Sequence, residues 1–204
     1  MKSFFERYSY DCVRMLLNQI AISMFGFALA MTAGKAESDA LLVWSSIASI
    51  VFYLALTYGT AWTAGSKDRL SIQYGKIPFR PLCGLAMSLV ANSINLLLAV
   101  LITLGELAGL GTLEAIANTV ALLSQGMYQG VLAIVTFKGQ PLNNVWWAYF
   151  LITVPAMLVA TVGYIAGAKD FHMTSMGIPE LPESDRPSRR ELKEQRELEK
   201  KNRK

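Results

Sequence analysis

Ser88, Asn92 and Asn95 stand at i, i+4 and i+7 in a stretch otherwise made of Leu, Ala, Val and Ile. Three hydrogen-bonding side chains at that spacing share one face of a helix, and uncharged amides on an apolar helix can coordinate a polar solute or an ion. The same residues can instead bond neighbouring helices, the commoner use of amides in such surroundings. Downstream, Gln125 and Gln129 repeat the pattern at i and i+4, with Asn118 two turns earlier. Ser88, Asn92, Asn95, Asn118, Gln125 and Gln129 are therefore the candidate ligand-binding set, expected to converge in one polar pocket.

Other chemistry is sparse. Glu106 and Glu114 bracket Gly105, Gly109 and Gly111 and read as a solvated connector, with a shared proton or cation attraction as the sharper alternative. The single histidine, His172, rules out a histidine-based metal site by number. Cys12 and Cys83 fit no metal spacing. Serines within the apolar stretches have no His or Lys beside them to activate a hydroxyl, so a serine hydrolase is not expected. No motif for a catalytic centre, metal or cofactor accompanies these residues, and the chain is read as a non-enzyme.

What must position the amides is a set of apolar helices. Residues 15–34, 40–66, 82–105 and 139–168 contain no charge. About 20 apolar residues suffice to cross a bilayer's hydrocarbon core. Full spans are expected at about 15–33, 41–64, 82–104 and 145–168, with Trp44, Trp62, Trp146 and Trp147 near span ends, where indole prefers the interface. Pro155 is expected to kink the last span. The fold class is all-α, a polytopic transmembrane helix bundle.

Charge placement gives the topology. Mean hydropathy is +0.35 and charged residues make up 17%, against roughly 25% for soluble domains. Lys and Arg number three before residue 15, one in 34–40, four in 65–81, one in 105–144 and ten from Lys169 onward. The positive-inside rule then puts residues 1–14, the 65–81 loop and the 169–204 tail in the cytoplasm. That requires an even number of crossings. The polar segment 115–137 is therefore read as a re-entrant or interfacial helix beside four full spans, five spans being the alternative. The localisation expected is a cell membrane, multi-pass, with both termini cytoplasmic. Ala28-Leu29-Ala30 resembles a signal-peptidase site, but the charged stretch ahead of it favours an uncleaved span.

Partners follow from the same features. Gly126 with Gly130, and Gly163 with Gly167, have the spacing that lets helices approach closely, either within the bundle or against another membrane protein. The tail from Arg186 carries nine basic and four acidic residues, net +5, suited to anionic lipid headgroups or to solvation as a topology anchor. Ser188 to Glu191 is a capping-box pattern that can open a helix there. Nucleic acid is not the expected partner of a net +4 whose charges flank spans. Two functions remain: a small transport or solute-binding component built on the amide pocket, or a non-catalytic assembly or regulatory subunit docking through glycine-spaced faces and a basic tail.

Overall fold

The computed structural model describes residues 2–171, with side chains from Phe4. The tail beyond Phe171, with its capping box and His172, lies outside the described residues. The described part is helical apart from one short hairpin. Helix α1 spans Lys2–Lys35, α2 Asp39–Gln73, α3 Cys83–Ala91, α4 Ser93–Leu107, α5 Gly111–Ser124, α6 Gln129–Ile134, α7 Ala148–Leu151 and α8 Val154–Ala168. Strands β1 (Thr136–Phe137) and β2 (Gln140–Pro141) pair antiparallel, joined by Lys138 and Gly139 at φ 50° and 82°. Positive φ at both turn residues is what a two-residue hairpin demands.

Three helical stretches are long and apolar enough to cross a membrane: Phe4–Lys35, Asp39–Gln73 and Ala148–Ala168. A fourth exists if α3 and α4, bent by 61° across Asn92, count as one. The interior mixes small, polar and apolar side chains, and large apolar side chains cover much of the exterior. On α2, Ser46, Ser49, Tyr53, Thr57, Thr60 and Asp68 are buried, while Trp44, Ile47, Val51 and Phe52 are exposed. On α8, Ala156, Ala160, Gly163 and Gly167 face inward at helical spacing, with Leu158 and Val162 outward. Water would penalise so much exposed apolar surface; hydrocarbon favours it, and close backbone packing then replaces the hydrophobic drive between helices.

Glycines set those contacts. A Cβ on Gly163 would come 2.8 Å from the Tyr58 carbonyl oxygen, and one on Gly167 would run into the Trp62 carbonyl, both on α2. Gly126 packs on Ser23 and Phe27 of α1, and Gly130 on Leu42 and Ser46 of α2. All four glycines singled out by spacing are thus covered by the chain's own helices.

Several boundaries differ from the sequence reading. Lys67, Asp68 and Arg69 do not lie in a 65–81 loop: α2 continues to Gln73, since a helix leaving an apolar zone keeps its backbone bonds and its charges find partners at the end. The 82–104 helix is not continuous. Asn92 sits at φ −88°, ψ 8°, and its side-chain Nδ2 donates to the Ser88 carbonyl at 3.0 Å, beside the backbone bond from its own N–H at 2.8 Å. A side-chain amide that shares a helix carbonyl with the backbone is a local bond of the kind found where helices bend. Pro155 does not kink a helix interior. It occupies the first turn of α8, where no N–H is needed, after a break at Ile152 and Thr153. The 105–114 connector shortens to 108–110, because Gly105 lets Glu114 of α5 pack directly on α4, the would-be Cβ lying 2.9 Å from the Glu114 Cα.

The segment 111–134 folds back on itself. Ser124, at the end of α5, bonds Asn95. Asn95 lies twelve residues above the C-terminal end of α4, about 18 Å at 1.5 Å per residue. A 3-10 turn at Gly126–Tyr128 follows, and α6 then returns so that Gly130 meets Leu42, in the first turn of α2. The second half of the segment therefore climbs back toward the end of the bundle from which α5 descends.

Candidate functional site

The two breaks at Asn92 and Gln125 meet. Ser124 Oγ donates to Asn95 Oδ1 at 3.0 Å, Asn95 Nδ2 to Asn92 Oδ1 at 3.3 Å, and Asn92 Nδ2 to Ser88 Oγ at 3.3 Å as well as to the Ser88 carbonyl. All donors in this chain point one way, so each bond polarises the next. Ser88, Asn92 and Asn95 are all buried. The buried Tyr53 of α2 meets the Asn92 side chain across the helix interface and the Thr57 side chain one turn along its own helix.

A helix interrupted away from water must have its freed carbonyls satisfied. Serines of the two long helices do this. Ser23 Oγ of α1 donates to the Ser124 carbonyl and Ser46 Oγ of α2 to the Met127 carbonyl, each at 2.6 Å. The 3-10 turn is thereby clamped between α1 and α2, with Gly26 of α1 giving Met127 the room to approach.

Gln125 lies inside this clamp. It is 1% exposed, and neither its Nε2 nor its Oε1 has a hydrogen-bond partner among the described residues. The same holds for Gln19 Oε1, one turn before Ser23 on α1, and for the Tyr128 hydroxyl and Gln129 Oε1. Buried amide and hydroxyl groups cost roughly 1–3 kcal/mol each when unsatisfied, so each of them has capacity for a further hydrogen bond.

Of the six residues expected to share a pocket, Ser88, Asn92 and Asn95 form one network, and Gln125 follows directly on the Ser124 that extends it. Asn118 does not join them in any hydrogen bond. Its Nδ2 donates to the Asn143 carbonyl at 3.4 Å and its Oδ1 accepts from the Tyr149 hydroxyl, tying α5 to α7 and to the segment just ahead of it. Two helical turns separate it from Gln125, and α5 carries it toward the α4–α5 connection. Gln129 begins α6, beyond the turn, so Gln125 and Gln129 do not share a continuous helical face. Comparison with family models, curated proteins and solved structures finds no match. The chemistry of the centre rests on its own residues.

A second polar cluster escaped the sequence reading altogether. Asp68, 2% exposed, accepts from Arg7 Nε at 2.7 Å, from the Tyr164 hydroxyl at 2.8 Å and from the Tyr8 hydroxyl, while Arg7 Nη2 completes an ion pair at 2.6 Å. Lys67 pairs with the buried Asp11 at 3.3 Å, and Arg69 with Asp170. These ion pairs fix the start of α1 and the end of α8 to the end of α2. The available signal was that Asp68 is the one acid between Asp39 and Glu106.

Proposed function

We propose that this chain is an integral membrane protein with four full crossings and one re-entrant hairpin. On this reading α1, α2, the bent α3–α4 pair and α7–α8 cross, while α5–α6 enters and leaves on a single face. The return of Gly130 to the first turn of α2 supports that path, as do the ion pairs that hold both the start of α1 and the end of α8 beside the end of α2. The end bearing Arg7, Arg14, Lys67, Arg69, Lys76, Arg80 and Lys169 faces the cytoplasm, and among the described residues the opposite end holds only Lys35 and Lys138.

The function supported best is binding or passage of a small uncharged polar solute at the amide centre. One observation carries it: Gln125, fully buried where two interrupted helices meet, with both ends of its amide unpaired among the described residues. Interrupted helices near the middle of a bundle are how many transporters expose backbone and amide groups to cargo. A neutral cargo suits the absence of any charged side chain in the hydrogen-bond network around Asn92, Asn95 and Ser124. The assembly alternative drew on the glycine pairs and the basic tail; the glycine surfaces are occupied within the chain, and the tail lies outside the described residues.

Proteoliposomes holding the full chain test the reading. Urea, acetamide and glycerol are applied osmotically and swelling is followed by light scattering. Swelling faster than in protein-free liposomes for at least one solute, lost in Gln125→Leu and in Asn92→Leu while both variants still insert, is the expected result. Rates equal to protein-free liposomes for all three solutes contradict it.

A further inference from the structure

A separate cleft opens at the other end of the bundle, where α1 begins, α2 has ended and α3 starts. Its volume is about 140 Å³ and it is open on one side, with Arg7, Arg80, Tyr8 and Tyr164 among its walls. The charges there do not cancel. Arg7 spends Nε and Nη2 on Asp68, whose carboxylate also takes both tyrosine hydroxyls, so that carboxylate is neutralised and fully engaged. Arg80 makes no ion pair among the described residues, and no acid lies between Asp68 and Glu106 in the sequence. One guanidinium is left without a counter-charge among the described residues, and a second, Arg7, is held in place by Asp68 with its side chain 36% exposed.

The local fold presents these groups. Pro78 and Pro81 stiffen the loop on either side of Arg80, and the Arg80 carbonyl accepts the Cys83 N–H at 3.1 Å at the point where α3 starts. Gly84, having no Cβ, lets that first turn seat on Ala160 and Thr161 of α8. The N-terminal end of α3 is therefore fixed beside the arginines, adding its dipole to their charge. Phe4, Ile77 and Pro78 supply an apolar wall next to the cations.

We propose that this cleft binds a phosphate mono- or diester anion. Guanidinium forks match phosphate oxygens in pairs, and the helix end favours the same charge. The apolar wall fits the glycerol and acyl portion of a lipid headgroup at the depth where headgroups lie. A free phosphate would use the same cations without the wall. The site is built from residues 4–164 alone, and it does not depend on any role for the amide centre.

Native mass spectrometry of the full chain, released from detergent, tests the proposal with phosphatidylglycerol, phosphatidylcholine and inorganic phosphate as probes. The wild type is expected to retain phosphatidylglycerol over phosphatidylcholine, with affinity falling about tenfold in Arg80→Ala and partly restored in Arg80→Lys. Displacement of the lipid by inorganic phosphate would identify free phosphate as a second occupant of the same cations; no displacement assigns the site to the lipid. The tail's basic residues are common to all variants, so only the difference between them reports on the cleft. Because Arg80 makes no ion pair among the described residues, its alanine variant should unfold at the wild-type temperature. Equal retention of both probes by wild type and Arg80→Ala, or retention of neither by the wild type, overturns the proposal.

Discussion

The Ser124 hydroxyl donates to Asn95 Oδ1 at 3.0 Å across 29 residues of sequence, joining the ends of two interrupted helices at one point. Neither break would be tolerable alone away from water. Together they exchange hydrogen bonds with each other and draw the remainder from Ser23 and Ser46.

Replacing Asn95 by Leu should destabilise the protein by about 1–2 kcal/mol, because Asn92 loses a donor and Ser124 an acceptor at a buried site. Ser124→Ala should cost about 0.6 kcal/mol, the typical worth of one interhelical bond in lipid. A double-mutant cycle on unfolding in mild detergent should return a coupling of similar size. Additive effects would mean the bond contributes nothing.

The glycine contacts make a discriminating series. Gly167→Leu and Gly65→Leu should prevent monodisperse extraction, because any side chain there enters the backbone of the helix opposite. Gly59→Leu, with nothing within 4 Å of its would-be Cβ, should behave as wild type by size-exclusion chromatography in detergent.

The Asp68 cluster should respond asymmetrically. Arg7→Met leaves a buried carboxylate with only tyrosine donors and should cost more, roughly 2–3 kcal/mol, than Asp68→Asn, which leaves a cation 36% exposed and able to reach water. Thermal unfolding of the two variants side by side gives the order. A larger loss in Asp68→Asn would mean the tyrosine bonds, not the charge, hold this end together.

Helix identity was legible in the sequence, and helix ends were not. Charge-free runs locate the apolar middle of each helix, but α1 and α2 extend beyond it on both sides, since Asp11, Lys67, Asp68 and Arg69 are accommodated by pairing rather than by leaving the helix. The break at Asn92 carries no Gly or Pro; its side chain bonds its own backbone there, a contact that spacing alone cannot reveal. Ser88, Asn92 and Asn95 were found because amides stand out in an apolar run. Tyr53, Ser23 and Ser46 were missed because single hydroxyls in such runs ordinarily bond the carbonyl one turn back, as Thr103 and Thr161 do here. Asp68 was missed because its partners Tyr8 and Tyr164 are 60 and 96 residues away.

The proposed topology turns on the path of residues 111–134, whose Ser124 meets Asn95 beside the α3–α4 break and whose Gly130 returns to the first turn of α2. The direct measurement is labelling of single cysteines by a membrane-impermeant thiol reagent in right-side-out vesicles, in a background with Cys12 and Cys83 replaced by alanine. Ala108→Cys and Gln140→Cys should react from the same, outer face, and Lys169→Cys only after the vesicles are opened. Labelling of Ala108→Cys and Gln140→Cys from opposite faces would mean that the segment crosses completely, and the proposed topology would be wrong.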